Sequence, residues 1–168
     1  MKTIFTLLFL LPIWCFGQKD YCKHISRSVD EKGTTLKSPD LKYLSVLKQT
    51  KITTFFALHL HFPDLNQHFD AVGAAIEFED GSIIKDENTT VNCQQEKGEL
   101  KSGYGSGSSF AHSGEYVIQG FFTINDENIE IFMSKKIVRI QLDHASKKIS
   151  DKDAIKTMNY IKCMQGGK

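Results

Sequence analysis

The run at residues 52–62 carries the plainest pattern in this chain. Ile52, Thr54, Phe56, Leu58, Leu60 and Phe62 fall on one side of an extended backbone, and Thr53, Phe55, Ala57, His59 and His61 fall on the other. Side chains alternate sides along a strand, so this period of two predicts a strand with one face on a core. Pro63-Asp64 is its expected stop. Residues 41–47 precede it across Lys48-Gln49-Thr50-Lys51 and predict its antiparallel partner.

Similar alternation recurs downstream. Val72, Ala74, Ile76 and Phe78 interleave with Gly73, Ala75, Glu77 and Glu79, and Asp80-Gly81 then leads into Ser82-Ile83-Ile84-Lys85. Asp-Gly between two such runs predicts a hairpin with a type I′ turn, in which both central residues take positive φ. Residues 89–94, 116–124 and 137–142 add three more strands, the last with Val138, Ile140 and Leu142 on one face. Residues 21–37 alternate weakly and predict one or two edge strands around a Glu31-Lys32-Gly33 turn.

Two helices interrupt the pattern. Asn125 is the expected N-cap of a short helix near residue 130, with Asp126 and Glu127 at its positive end and an Ile124–Ile129 staple. Ser150 caps a second helix over residues 151–164, with Asp153 at N3 and an apolar line of Ala154, Ile155, Met158 and Ile161. Gly166 marks its exit. Roughly seven strands joined by tight turns, with no βαβ rhythm, argue for antiparallel pairing. The expected fold is mainly β: an antiparallel β-sandwich or curled sheet with a short helix near residue 130 and a C-terminal helix.

The first residues read differently. Lys2 is followed by an apolar run at 4–13, broken only by Thr6 and Pro12, then by Trp14-Cys15-Phe16-Gly17 and the polar Gln18-Lys19-Asp20. These are the charged, apolar and exit regions of a secretory signal peptide. The run is shorter than the ~20 residues a spanning helix needs. The expected organisation is a signal peptide at 1–17 and a single β-rich domain at 18–168, exported to the periplasm or secreted, with no transmembrane segment. Cys15 offers a second route, acylation as a lipoprotein, although Trp14 stands where such sites carry a small residue.

Charge narrows the partners. The chain has 21 Lys and Arg against 20 Asp and Glu, and losing Lys2 with the leader makes the remainder formally neutral. A neutral chain sets up no bulk field for nucleic acid, so none is expected as a partner. Cys22, Cys93 and Cys163 follow the leader. Disulfides persist outside the cytoplasm, and domain termini often lie close together. Pairing of Cys22 with Cys163 is therefore favoured over the other arrangements, leaving Cys93 as the odd thiol.

Three stretches resemble small exported proteins of Bacteroidetes-type bacteria. They are Ile76-Glu77-Phe78-Glu79-Asp80-Gly81-Ser82, then Gly120-Phe121-Phe122-Thr123-Ile124-Asn125, and Lys136-Ile137-Val138-Arg139-Ile140. The terminal helix with its late Cys163 extends the likeness over residues 70–165. The Gly17-Gln18 junction is similar to signal-peptide exits in the same bacteria. The resemblance implies an exported domain and carries no active site with it.

Candidate chemistry is sparse. His59 and His61 are two apart on a strand and face the same way, so both could reach one divalent transition metal such as zinc, with His68 and Asp70 as further ligands. The plainer alternative is two polar residues on the less buried face. Isolated His24, His112 and His144 read as surface residues. The Gly/Ser-rich stretch at 102–109 does not match a phosphate loop, because Gly103, Gly105 and Gly107 lack the dinucleotide spacing. Tyr104, Phe110 and His112 around it make a candidate binding loop, as aromatics among Gly and Ser often do. Glu77, Glu79, Asp80, Asp86 and Glu87 read as a solvated hairpin face rather than a carboxylate pair for glycoside hydrolysis. The leading expectation is a non-enzymatic binding module, with no cofactor, that contacts a protein or glycan of the cell envelope. The alternatives are a metal-binding protein or metal-dependent enzyme built on His59 and His61, and a periplasmic inhibitor or immunity-type protein.

Overall fold

The computed structural model describes residues 20–64, 71–95 and 116–166. After a 3-10 turn at Tyr21–His24, the strands are β1 (Ser26–Asp30), β2 (Gly33–Lys37), β3 (Leu44–Thr50), β4 (Thr54–Asp64), β5 (Val72–Phe78), β6 (Ile83–Gln95), β7 (Tyr116–Ile124), β8 (Ile137–Leu142) and β9 (Ala145–Lys148). Helix α1 (Ile129–Ser134) lies between β7 and β8, and α2 (Asp151–Gln165) follows β9. All pairings are antiparallel. They form one sheet in the order β1-β2-β3-β4-β7-β6-β5-β8-β9, with β1 and β9 at its edges. Among the described residues no helix is long and apolar enough to cross a membrane.

The sheet is curled. Gly120 of β7 lies against Leu142 of β8, although β6 and β5 stand between those strands in the ladder. One core fills the hollow. Phe56, Leu58, Leu60 and Phe62 of β4 meet Ile118 and Phe122 of β7, Ile76 and Phe78 of β5, and Ile140 and Leu142 of β8. Each large apolar side chain so buried contributes about 1.5–3 kcal/mol. Helix α2 closes the core with Ala154, Thr157, Tyr160, Ile161 and Met164. Its N-cap is Ser150, whose hydroxyl oxygen accepts the Asp153 N–H. At its other end Lys48 reaches across the Phe56 ring and donates to the Met164 carbonyl at 2.6 Å. That contact places a cation at the negative end of the helix. Cys22 and Cys163 form a disulfide that ties the first turn to α2.

Several expectations need correction. Ile52 is 94% exposed, because the turn between β3 and β4 claims it. Pro63 and Asp64 remain within β4 and pair with Val117 and Tyr116. Val72 is 60% exposed, because the β5–β6 register shifts between Val72 and Ala74: Gly73, at φ +93°, stands opposite three residues of β6, 87–89, which bulge there. A second shift, at Glu77/Phe78, turns Ile137 rather than Val138 into the core. The Asp80-Gly81 hairpin forms, but only Gly81 has positive φ. Its N–H donates to the Phe78 carbonyl, and the Phe78 N–H donates to Ser82. This is the three-residue loop with a left-handed glycine rather than a type I′ turn. Residues 83–95 form one long strand, and β9 is an unpredicted addition after a tight turn with Asp143 at φ +50°. Helix α1 has Asn128 at its N-cap, one turn later than expected. The inner face of α2 carries Thr157 and Tyr160, and Ile155 is 38% exposed. Gly166 leaves α2 with φ −71°, not a left-handed exit.

Candidate functional site

Strand β6 changes partners along its length. From Ile83 to Thr90 it pairs with β5, and from Val91 to Gln95 with β7. The β6–β7 ladder ends at Val91–Gly120. Beyond it, Phe121 to Ile124 of β7 pair only with β4. The wedge between the diverging strands is an open groove of about 630 Å³.

Alternation along β6 sets the chemistry of one wall. Thr89 and Val91 are buried, whereas Asn88, Thr90 and Asn92 are exposed on the opposite face. All but Val91 of these five line the groove, with buried Thr89 and Phe122 at its floor. The Thr89 hydroxyl donates to the Phe121 carbonyl at 3.4 Å and spans the wedge there. The other wall is Phe121 and Thr123 of β7, followed by Asn125 and Asn128. Those two asparagines bond reciprocally: each Oδ1 accepts the other's backbone N–H at 3.0 Å. The exchange engages both Oδ1 atoms and neither Nδ2. Among the described residues, Lys85 and Asp86 are the charged lining residues, one of each sign.

Phe121 is half exposed, and its ring stacks on His59 with centroids 4.8 Å apart. His59 stacks in turn on His61 at 5.2 Å. The three rings form a row across the outer face of β4 and β7, bordering the groove. This row bears on the metal expectation. A metal binds along the in-plane lone pair of an imidazole, and these two rings are stacked, 27° from parallel. Their lone pairs run side by side rather than converging. His68 and Asp70 lie outside the described residues, and no group of three or more His, Cys, Asp or Glu placed to hold a metal occurs among the described ones. Tyr104, Phe110 and His112 also lie outside the described residues. His144 sits at the surface, with Nε2 3.5 Å from Asp143.

The acidic hairpin is knit to the chain around β8. Glu77 pairs with Arg139 at 2.9 Å, Glu79 with Lys136 at 3.3 Å and Asp80 with Lys135 at 2.5 Å. Lys135, with Ser82, holds the Asp80 carboxyl well below the usual carboxylate range. These contacts clip one hairpin to its neighbour.

Burial, then the neighbouring His61, lowers the pKa of His59. The other charges bearing on it are Lys37 and Asp40, opposite in sign and 3.1 Å apart. The fold thus favours neutral His59, while the unfolded chain protonates it near its ordinary value of 6.5. Between the two pKa values the unfolded state holds more protons, so stability falls as pH drops below about 6.5. Asp40 and Asp80 have lowered pKa values, so their own loss begins only near the ordinary 3.8 and below. The expected result is a melting temperature that declines between pH 7 and pH 5, with a shallower decline in His59→Gln. Equal slopes in melts by circular dichroism would remove His59 as the cause.

The groove was not singled out by the sequence, although its signal was present. Asn88, Thr90 and Asn92 are spaced two apart in one strand. No protein-family model matches the chain, and comparison with curated proteins and with solved structures finds no match.

Proposed function

We propose that this chain is an exported, non-catalytic binding module of the cell envelope, and that the β6–β7 groove is its ligand site. The observation that carries the reading is the groove's lining: outward amides and hydroxyls on both walls and a half-exposed aromatic ring on one. Such a surface offers many weak, directional contacts. Export is supported by the leader pattern at 1–17 and by the Cys22–Cys163 disulfide, a bond that persists in oxidising compartments.

Two measurements test it. Intact mass of protein made with its own leader in a bacterial host should show a chain starting at Gln18 and lighter by one pair of hydrogens. A chain that keeps its leader would count against export. Isotope-labelled protein, titrated with a solubilised cell-envelope fraction, should show amide shifts at Asn88, Thr90, Asn92 and Phe121. Thr90→Arg puts a long charged side chain into the groove from an exposed position. It should weaken binding at least tenfold and leave the melting temperature unchanged. Undiminished binding by that variant would move the site elsewhere.

A further inference from the structure

We infer that the groove takes a neutral oligosaccharide, an assignment that rests on the groove being the binding site. Four observations converge on that ligand class. First, the polar lining is dominated by carboxamides and hydroxyls: Asn88, Thr90 and Asn92 on one side, Thr123, Asn125 and Asn128 on the other. A carboxamide pairs a donor with an acceptor in one plane, which matches the neighbouring hydroxyls of a sugar. The Asn125–Asn128 exchange fixes two of these amides through their Oδ1 atoms and does not use their Nδ2 donors.

Second, among the described residues the lining carries one cation and one anion, Lys85 and Asp86, a balance that favours neither a phosphate nor a polyanion. Third, Phe121 supplies an apolar surface beside the polar groups. His59 covers one face of its ring, and Phe121 also lines the groove, so the stacked row holds the ring in place for a ligand. The C–H face of a pyranose packs on such a ring while its hydroxyls reach the amides. Fourth, the groove is open and largely polar. Its volume falls within the roughly 300–1,000 Å³ of ligand sites, but its lining is unlike the mostly apolar pockets that enclose hydrophobic molecules.

An extended peptide adding as a strand is the main competitor. Strand neighbours lie about 4.7–4.9 Å apart, so an inserted strand needs twice that gap between β6 and β7. The Thr89–Phe121 hydrogen bond at 3.4 Å bridges the wedge and leaves no such room at its apex.

The test is nuclear magnetic resonance titration of the disulfide-bonded protein, residues 18–168. The probes are neutral hexasaccharides (glucose-, mannose-, xylose- and N-acetylglucosamine-based), a hexagalacturonate and an uncharged extended peptide. At least one neutral hexasaccharide should shift the amides of Asn88, Asn92, Phe121 and Thr123. Phe121→Ala should weaken it about tenfold, and Phe121→Trp should restore it. Asn88→Ala with Asn92→Ala should weaken it as well, and both sites are exposed, so folding is preserved. Groove shifts from the envelope fraction or the peptide, with none from any neutral saccharide, would overturn the sugar assignment and leave the binding module standing. Preference for hexagalacturonate would also overturn it. No groove shift from any probe or from the envelope fraction would overturn both.

Discussion

Replacing Cys22 and Cys163 together by serine should lower stability by about 5 kcal/mol, the largest loss expected from any change outside the core. The bond joins residues 141 apart, so nearly the whole folded chain lies within its loop. Cross-linking restricts the unfolded chain, and the restriction grows with loop length. For a domain of this size that loss lowers the melting temperature by roughly 10–20 °C. The native contacts at the junction are modest by comparison. Tyr21 packs edge-on against Tyr160 at 5.7 Å, and Ile25 touches the core, but the 3-10 turn itself buries no residue. Without the bond, the first turn and β1, whose five residues are all exposed, have little to hold them to α2. The double variant is the right probe, because either single variant leaves a second thiol that oxidation could pair with Cys93. Thermal melts with and without reductant should agree with it: reductant should lower the native protein's melting temperature and leave the double variant's unchanged. A fall of only a few degrees would mean that packing at the chain ends already supplies the stability assigned to the bond. None of the groove's lining residues belongs to the first turn, β1 or α2, so ligand affinity below the melting range should be the same in both proteins.

Much of the fold was legible because it rests on local rules. The alternation of Phe56, Leu58, Leu60 and Phe62 survives intact, since a central strand with one buried face leaves little choice of register. The Ser150 cap was equally plain, because a hydroxyl three residues before the N–H it accepts from needs no tertiary information. What failed depended on neighbours. Gly73 looks like any strand glycine until β6 pairs beside it, bulging across from it and leaving Val72 outward. Helix α2 has apolar residues on more than one side. Only the placement of the sheet decides that Tyr160 faces in and Ile155 does not. The groove belongs to this second kind. Asn88, Thr90 and Asn92 are the exposed face of a strand whose start, read at residue 89, lies at Ile83. They become one wall of a site because β6 leaves β7 for β5, a choice invisible in the residues themselves.

Gly120→Val should cost about 3 kcal/mol and deform the groove, because both β8 and β6 close on Gly120. A Cβ at that position would lie 3.0 Å from Leu142 Cδ2, 3.1 Å from Thr89 Cγ2 and 3.2 Å from the Thr90 carbonyl oxygen. It would therefore press on β8 and on β6 at once. Glycine weakens a strand by its flexibility and by the side chain it does not pack, and close approach of another element is the usual reason for one there. Here that approach lets β8 fold over β7 and bury Leu142. Gly120 also pairs with Val91 at the end of the β6–β7 ladder. A valine would push Thr89 and Thr90 outward at the apex of the groove. The melting temperature should fall by roughly 6–12 °C. At temperatures where the variant remains folded, amide shifts should change most at Thr89, Thr90 and Phe121. Loss of strand propensity cannot explain such a result, since valine is the better strand residue. Steric pressure has a further signature. Trimming Leu142 to alanine creates a cavity in the native protein, but in the Gly120→Ala background it also relieves a contact. The Gly120→Ala, Leu142→Ala pair should therefore cost less than the sum of its singles. Strict additivity would place the cost of Gly120→Ala in the backbone rather than in the closure of the sheet.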